Sequence, residues 1–299
     1  MSSNFQGVFT ALATPMTESG EVDYKRLESF TDSLIKEGGV HGIIPLGSTG
    51  EYYALSDQEK TEVMKIAIRT VGRRVPVLMG TNAGSTREVI RLSQEAQKLG
   101  ADGLLLAAPY YSLPRPDEIY AHFAAVDAAV GIPIMLYNYP ARTGVDLTPD
   151  LVERLAGLKN IDYIKESSGS SQRVSEIIRR CGSSIKVFCG SDAIAFESFL
   201  LGAIGWVAGV ANVLPKEHVE LYNLVSVKKD IPKARALLYR LLPVLEYYEG
   251  NGKYCQFVKA GCAVKGKPIG SPRQPLLPAT QAEIDTLTAL LTQLEASGK

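Results

Sequence analysis

The chemistry in this sequence starts at one lysine. In residues 160–169, NIDYIKESSG, the side chains of Ile161, Tyr163 and Ile164 predict a strand, and Ser167, Ser168 and Gly169 predict the turn that ends it. Lys165 stands between the two, at the carboxyl end of a strand expected to be buried. Burial disfavours the ammonium form, so a lysine held there is neutral in part near pH 7 and can attack a carbonyl to give a Schiff base. The plainer alternative is a lysine that snorkels from the strand end into water.

Other reactive types close the neighbouring apolar runs. Gly47-Ser48-Thr49-Gly50-Glu51 offers hydroxyls and backbone N–H groups that could hold a carboxylate. Pro109-Tyr110-Tyr111 and Tyr137-Asn138-Tyr139-Pro140-Ala141-Arg142-Thr143 supply phenols to move protons and a guanidinium suited to a carboxylate. Gly190-Ser191-Asp192 ends a further run. Each has a structural alternative: a tight connection at GSTGE, core-capping tyrosines, a surface Arg142, and Asp192 as a helix N-cap. An amine nucleophile, phenols and an arginine gathered at one mouth would instead fit chemistry on an α-keto acid. The three histidines (His41, His122, His218) are scattered, His122 within a helical segment. No metal-ligand cluster, GxSxG elbow, phosphate loop or carboxylate pair stands out.

These groups need a scaffold to bring them together. Apolar runs at residues 8–13, 40–46, 75–80, 103–107, 132–137, 163–165, 185–189 and 205–210 alternate with helical-period segments at 24–36, 57–71, 86–99, 117–130, 149–158, 171–180 and 193–201. Near-continuous apolar strands between amphipathic helices predict a parallel sheet covered by helices. Ser56 before DQEK, with Glu59 at the third helical position, forms a capping-box pattern, and Thr148-Pro149 puts proline in a first turn. Eight units in about the first 210 residues is the count of a (β/α)8 TIM barrel, whose strand ends converge on one pocket. A doubly wound sheet competes, but no glycine-rich dinucleotide loop follows the first strand. Further helices are expected at 217–226, 231–246, 253–264 and 282–295, one of them the eighth barrel helix and the rest a C-terminal helical extension. The expected division is a barrel over residues 1–225 and a C-terminal helical domain over 226–299.

Composition narrows the class. With 32 basic and 32 acidic residues the formal net charge is zero, and no basic block offers a footprint for nucleic acid. No apolar run is long enough to cross a bilayer, and the start MSSNFQGVF lacks a signal-peptide pattern, so no membrane is expected. Cys181, Cys189, Cys255 and Cys262 have spacings that suggest neither a metal motif nor a disulfide framework, which makes a reducing cytoplasm the expected location.

The order GSTGE, PYY, YNYPARTG, IKESSG and GSD resembles the dihydrodipicolinate synthase / N-acetylneuraminate lyase family of class I (Schiff-base) aldolases, from about Gly7 to the last helices. YNYPARTG with the lysine strand carries the resemblance; GSTGE alone would be a weak signal. The resemblance implies a (β/α)8 barrel with a C-terminal helical domain, commonly a homotetramer built as a dimer of dimers. It also implies a covalent Schiff base with substrate and no metal or other cofactor. Lys165 would form that Schiff base with pyruvate or another α-keto acid, and Tyr137 would relay protons beside it. Ser48 and Thr49 would bind the keto-acid carboxylate, Thr49 through its backbone N–H and hydroxyl. Tyr111 would extend the relay, as a tyrosine shared across a dimer interface does in the synthases. Arg142 matches the arginine that there holds the carboxylate of the incoming aldehyde, and Val207 would turn its backbone carbonyl to the site.

Some positions depart from the family's pattern. The synthases usually read GTTGE; Ser48 keeps the relay hydroxyl but loses the methyl that restricts its rotamers. SLPRP follows the tyrosine pair in place of asparagine-basic-proline, and GSDAIAFES stands where synthases carry GDD. Asp57 and Lys60 stand where lysine-inhibited enzymes carry histidines. Arg142 departs from the sugar-acid aldolases, whose matching loop generally lacks arginine. The implied activity is a Schiff-base lyase or synthase acting on pyruvate or a related α-keto acid, with the synthase branch the nearer. Alternatives are a catabolic keto-acid aldolase, or a dehydratase/deaminase acting on a substrate such as a hydroxyproline-derived pyrroline carboxylate. A non-catalytic binding protein on the same barrel and a metal-dependent class II aldolase are further readings.

Overall fold

The computed structural model describes residues 4–297. The apolar runs have no polar face to turn to water, so they pair side by side beneath helices. Eight parallel strands result: β1 (Gly7–Ala11), β2 (Gly42–Ile44), β3 (Leu78–Gly80), β4 (Gly103–Ala107), β5 (Ile134–Asn138), β6 (Ile161–Glu166), β7 (Lys186–Cys189) and β8 (Gly205–Ala208). Their order is β2-β1-β8-β7-β6-β5-β4-β3. The ring closes between β2 and β3 through the Ile43–Val77 bridge and the Gly80 N–H donated to the Pro45 carbonyl at 3.0 Å. This is the TIM barrel that the alternation predicts.

The helices are α1 (Tyr24–Lys36), α2 (Asp57–Val71), α3 (Thr86–Leu99), α4 (Pro116–Ala129), α5 (Pro140–Thr143), α6 (Pro149–Leu155), α7 (Ser171–Cys181), α8 (Ala195–Leu200), α9 (Pro215–Tyr222), α10 (Ile231–Gly250), α11 (Tyr254–Val264) and α12 (Gln281–Ala296). The capping box at α2 forms as expected: Ser56 Oγ accepts the Glu59 N–H at 3.2 Å, and Glu59 accepts the Ser56 N–H at 2.8 Å.

Alternation along each strand sorts its side chains into two layers. Phe9, Ile44, Leu78, Leu105, Met135, Tyr163, Phe188 and Val207 form one cluster inside the barrel. Val8, Ile43, Met79, Leu104, Ile134, Ile164, Val187 and Trp206 belong to the other, between the strands and the helices. Phe5 joins the inner cluster and donates its N–H to the Tyr163 hydroxyl at 3.1 Å. Phe9 and Phe188 meet edge to face at 5.3 Å, so truncating either to alanine should cost about 3–5 kcal/mol.

The structure departs from the expected elements at several ends. The segment expected at 149–158 stops at Leu155, and the one at 193–201 divides into a 3₁₀ turn (Asp192–Ile194) and α8. The short helix α5, inside YNYPARTG, is too brief for periodicity to reveal. Helix α9 follows β8 and packs on β1, which makes it the eighth barrel helix. The segment expected at 217–226 is therefore α9 followed by a π-helical turn, Asn223–Val227, and the division expected at residue 225 falls inside that turn. Helices α10, α11 and α12 pack on one another, and α10 also packs against the 3₁₀ turn after β7. No described helix is long and apolar enough to cross a membrane.

Candidate active site

Strand parity places the two reactive side chains. Met135 and Tyr163 fill the barrel interior, so Tyr137 and Lys165, two residues further along β5 and β6, point inward at its carboxyl end. They are register partners, and Lys165 Nζ lies 4.0 Å from the centroid of the Tyr137 ring. Lys165 is 6% exposed, which overturns the snorkelling alternative. Burial lowers its pKa to about 8 against the upward pull of Asp192, Tyr139, Cys189 and Glu249. Roughly a tenth of such amines are neutral at pH 7, against fewer than about one in a thousand for an ordinary lysine. Burial pushes the Tyr137 phenol up to about 12, opposed by Arg142 and by the hydroxyls of Ser48 and Ser167 that face it. A phenol that keeps its proton at neutral pH can donate it to a developing alkoxide.

The GSTGE turn after β2 is held tightly. Leu46 just before it and Glu51 at its end both adopt φ 57, the left-handed region that side chains disfavour. A Cβ on Gly50 would meet the Leu12 carbonyl oxygen at 2.8 Å, so only glycine fits there. Thr14 Oγ1 donates to the Gly50 carbonyl at 2.7 Å. A 3₁₀ turn, Tyr52–Ala54, then intervenes before α2, so GSTGE is more than a direct strand-to-helix connection. Ser48 and Thr49 line the cavity that contains Lys165.

Behind the lysine lies a carboxyl pair that sequence reasoning did not assemble. The alternative of Asp192 as a helix N-cap does not hold; its carboxylate accepts the Trp206 indole N–H at 2.9 Å and the Tyr254 hydroxyl. Glu249, from the last turn of α10, accepts the backbone N–H groups of Asp192 and Ala193 at 2.6 and 3.1 Å. Burial, and for Asp192 the neighbouring Glu249 charge, hold both carboxyls above the ordinary range. Tyr254 also accepts the Val210 N–H at 3.1 Å. The one sequence signal for Glu249 is an acid in the last turn of a helix, where the macrodipole disfavours it.

The lysine cavity, about 60 Å³, is lined by Ser48, Thr49, Tyr137, Arg142, Lys165 and Val207 together with Glu249, Tyr254 and Cys255. Six of the seven expected site residues thus meet in one place. A second chamber of about 240 Å³, lined in part by Tyr52, Tyr53 and Tyr110, shares Ser48, Tyr137, Tyr139 and Arg142 with the first. Arg142 stands exposed at the rim with its guanidinium 5.8 Å from the Tyr139 ring centroid. Tyr111 does not join them within one chain: it is 96% exposed, in a left-handed conformation with φ 71. Among the described residues no group of three or more His, Cys, Asp or Glu side chains could hold a metal ion. His122 is buried beside Thr86, as a core histidine. An inward amine, a protonated phenol, a hydroxyl-bearing turn and a rim guanidinium can together activate a keto acid and receive a second anionic substrate.

A family model described as the dihydrodipicolinate synthetase family matches residues 4–294. A protein of Geobacter metallireducens named 4-hydroxy-tetrahydrodipicolinate synthase is 39% identical over 295 residues, covering 97% of this chain and 99% of its own. Another of the same name, from Syntrophobacter fumaroxidans, is 40% identical over 281 residues, with coverage of 93% and 94%. Among solved structures, the chloride-inhibited dihydrodipicolinate synthase of Acinetobacter baumannii, complexed with pyruvate, superposes with a TM-score of 0.92 at 36% identity, covering 98% of this chain and 99% of that one. The 4-hydroxy-tetrahydrodipicolinate synthase of Methylacidiphilum fumariolicum gives a TM-score of 0.93 at 34% identity, with coverage of 98% and 97%.

Proposed function

Since this chain belongs to the dihydrodipicolinate synthetase family, class I lyases that act through a lysine Schiff base with pyruvate, we propose that it joins pyruvate to a carboxylate-bearing aldehyde as 4-hydroxy-tetrahydrodipicolinate synthases do. The neutral Lys165 amine attacks the keto carbon, and Tyr137 gives its proton to the carbonyl oxygen as the carbinolamine forms. Loss of water leaves the iminium. The Tyr137 phenolate left by that step takes a methyl proton to give an enamine, whose carbon attacks the aldehyde and makes the new C–C bond as Tyr137 returns the proton to the aldehyde oxygen. Release follows when the aldehyde's own amine, or water, displaces Lys165. Ser48 and Thr49 hold the keto-acid carboxylate, Val207 turns its backbone carbonyl to the cavity it lines, and Arg142 receives the aldehyde's carboxylate. The chemistry needs no metal ion or organic cofactor, so treatment with a chelator should leave activity unchanged.

The observation that carries this reading is the register pairing of Tyr137 with a buried Lys165 whose amine is neutral in part at pH 7. Purified protein assayed with aspartate semialdehyde plus pyruvate, beside a panel of keto-acid substrates, tests it. Turnover of the semialdehyde pair well above the panel is expected; turnover confined to a sugar acid or a pyrroline carboxylate would overturn it.

The proposal extends to assembly and location. Tyr111 and Leu113 carry φ values of 71 and 50 and are 96% and 55% exposed, an unfavourable backbone presenting apolar side chains to solvent. A second copy covering this segment would bring Tyr111 into the relay, within a homotetramer built as a dimer of dimers. Sedimentation measures the assembly, and Tyr111→Phe should lower kcat without changing it. The four cysteines are free and buried, which suits a reducing cytoplasm.

A further inference from the structure

The turn carrying Ser48 and Thr49 is fastened from the far end of the chain. Glu51, the last residue of GSTGE, and Lys259, from α11, form an ion pair at 2.6 Å with side chains 0% and 1% exposed. The second Glu51 oxygen accepts the Arg273 backbone N–H at 2.7 Å, and the Lys259 ammonium donates to the Ser271 carbonyl at 2.9 Å. One turn earlier on the same face of α11, Cys255 Sγ approaches the Thr49 carbonyl oxygen at 3.6 Å. The Arg273 guanidinium continues the grip, binding Glu59 at 2.7 and 2.8 Å and the Ala54 carbonyl at 2.9 Å.

Two full charges buried together are a weak source of stability, because desolvation offsets their attraction and an apolar pair can serve as well. Direction is what the pair supplies. Glu51 sits in a left-handed backbone with one carboxylate oxygen against the Lys259 ammonium and the other accepting the Arg273 N–H, and that backbone sets the path of the residues just before it. Neither Glu51 nor Lys259 lines the catalytic cavity, so neither touches substrate there.

We infer that the Glu51–Lys259 ion pair positions Ser48 and Thr49 for the keto-acid carboxylate, which makes α11 part of the substrate-binding machinery. Both are positioning residues, and the inference rests on the reading that Ser48 and Thr49 hold that carboxylate. The test is the double variant Glu51→Gln/Lys259→Met in the full-length protein. It removes both charges, keeps an acceptor for the Arg273 N–H and fills the lysine stem's volume. We expect a folded protein whose KM for pyruvate is raised tenfold or more, with the KM for the aldehyde within twofold of the parent. The pyruvate concentration for half-maximal borohydride trapping at Lys165 should rise in parallel. Thr49→Val is the control for the underlying reading. If it raises the pyruvate requirement and the folded double variant does not, the inference is overturned while the turn's role stands; if neither does, both fall. Should the double variant fail to fold, Glu51→Asp, which withdraws the charge by one methylene, is read by the same two measurements with the same outcomes.

Discussion

Tyr137 and Lys165 face each other across β5 and β6, with the amine 4.0 Å from the centre of the phenol ring. Adjacent parallel strands fix that separation through their ladder, so the proposed proton donor and nucleophile stay in place whatever the loops above them do. Pyruvate and borohydride should therefore add one reduced adduct, located at Lys165 by peptide mass mapping. The trapping rate should climb as pH rises through about 8, because the protonated amine cannot attack. An adduct at another lysine would remove the Schiff-base mechanism.

The same depressed pKa bears on stability. Below about 8 the ammonium is charged in both folded and unfolded chains, and the fold carries the full burial penalty, roughly 3 kcal/mol. Between about 8 and the ordinary lysine range the folded chain gives up its proton first, so the penalty fades as pH rises. Lys165→Met should thus unfold at higher denaturant than the parent at pH 6, and the gap should close toward pH 10. A gap independent of pH would mean that packing, not charge, sets the difference.

Tyr137→Phe keeps the ring over the amine but deletes the proton. Turnover should fall roughly 10²–10⁴-fold, the usual contribution of a positioned acid or base. Wild-type turnover in this variant would reduce Tyr137 to a wall of the cavity.

Asp192 is the first of the groups that pull the Lys165 pKa upward. Asp192→Asn removes that charge, while an amide can still accept from Trp206 and reorganise with Tyr254. The pH at which trapping reaches half its plateau should shift downward. A shift upward, or none in a folded variant, would show that the Asp192 carboxyl carries no charge where Lys165 titrates.

What the sequence disclosed and what it withheld follow from range. That Lys165 and Tyr137 lie at the ends of apolar runs is a local property and legible in the sequence; that both turn into the barrel beside Tyr163 and Met135 is shown by the fold. The four residues of α5 were too few to carry a helical period. Glu249 lies 57 residues from the Asp192 N–H it accepts, and no local pattern joins the two. Asp192 looked like an N-cap because aspartate before a helix commonly is one; Trp206 and Tyr254 claim its oxygens instead. Tyr111 belongs to the PYY motif yet lies outside the single-chain cavity, which alternation within one chain could not foretell.

The proposed role of Arg142 distinguishes a second substrate that carries a carboxylate from one with a neutral chain. Its guanidinium stays charged at any working pH and can grip a carboxylate through two parallel hydrogen bonds. On the proposed reading Ser48 and Thr49 hold the pyruvate carboxylate, which leaves Arg142, exposed at the rim where the two chambers join, for a second one. Arg142→Lys keeps the positive charge but loses the planar fork and its seat against the Tyr139 ring. Activity on aspartate semialdehyde should drop at least tenfold, mainly through its KM, while borohydride trapping of pyruvate at Lys165 stays near the parent rate. If Arg142 instead serves only to tie down its own loop, trapping and turnover will fall together. If both stay at the parent level, no second carboxylate is held there, and a substrate with a neutral chain becomes the better assignment.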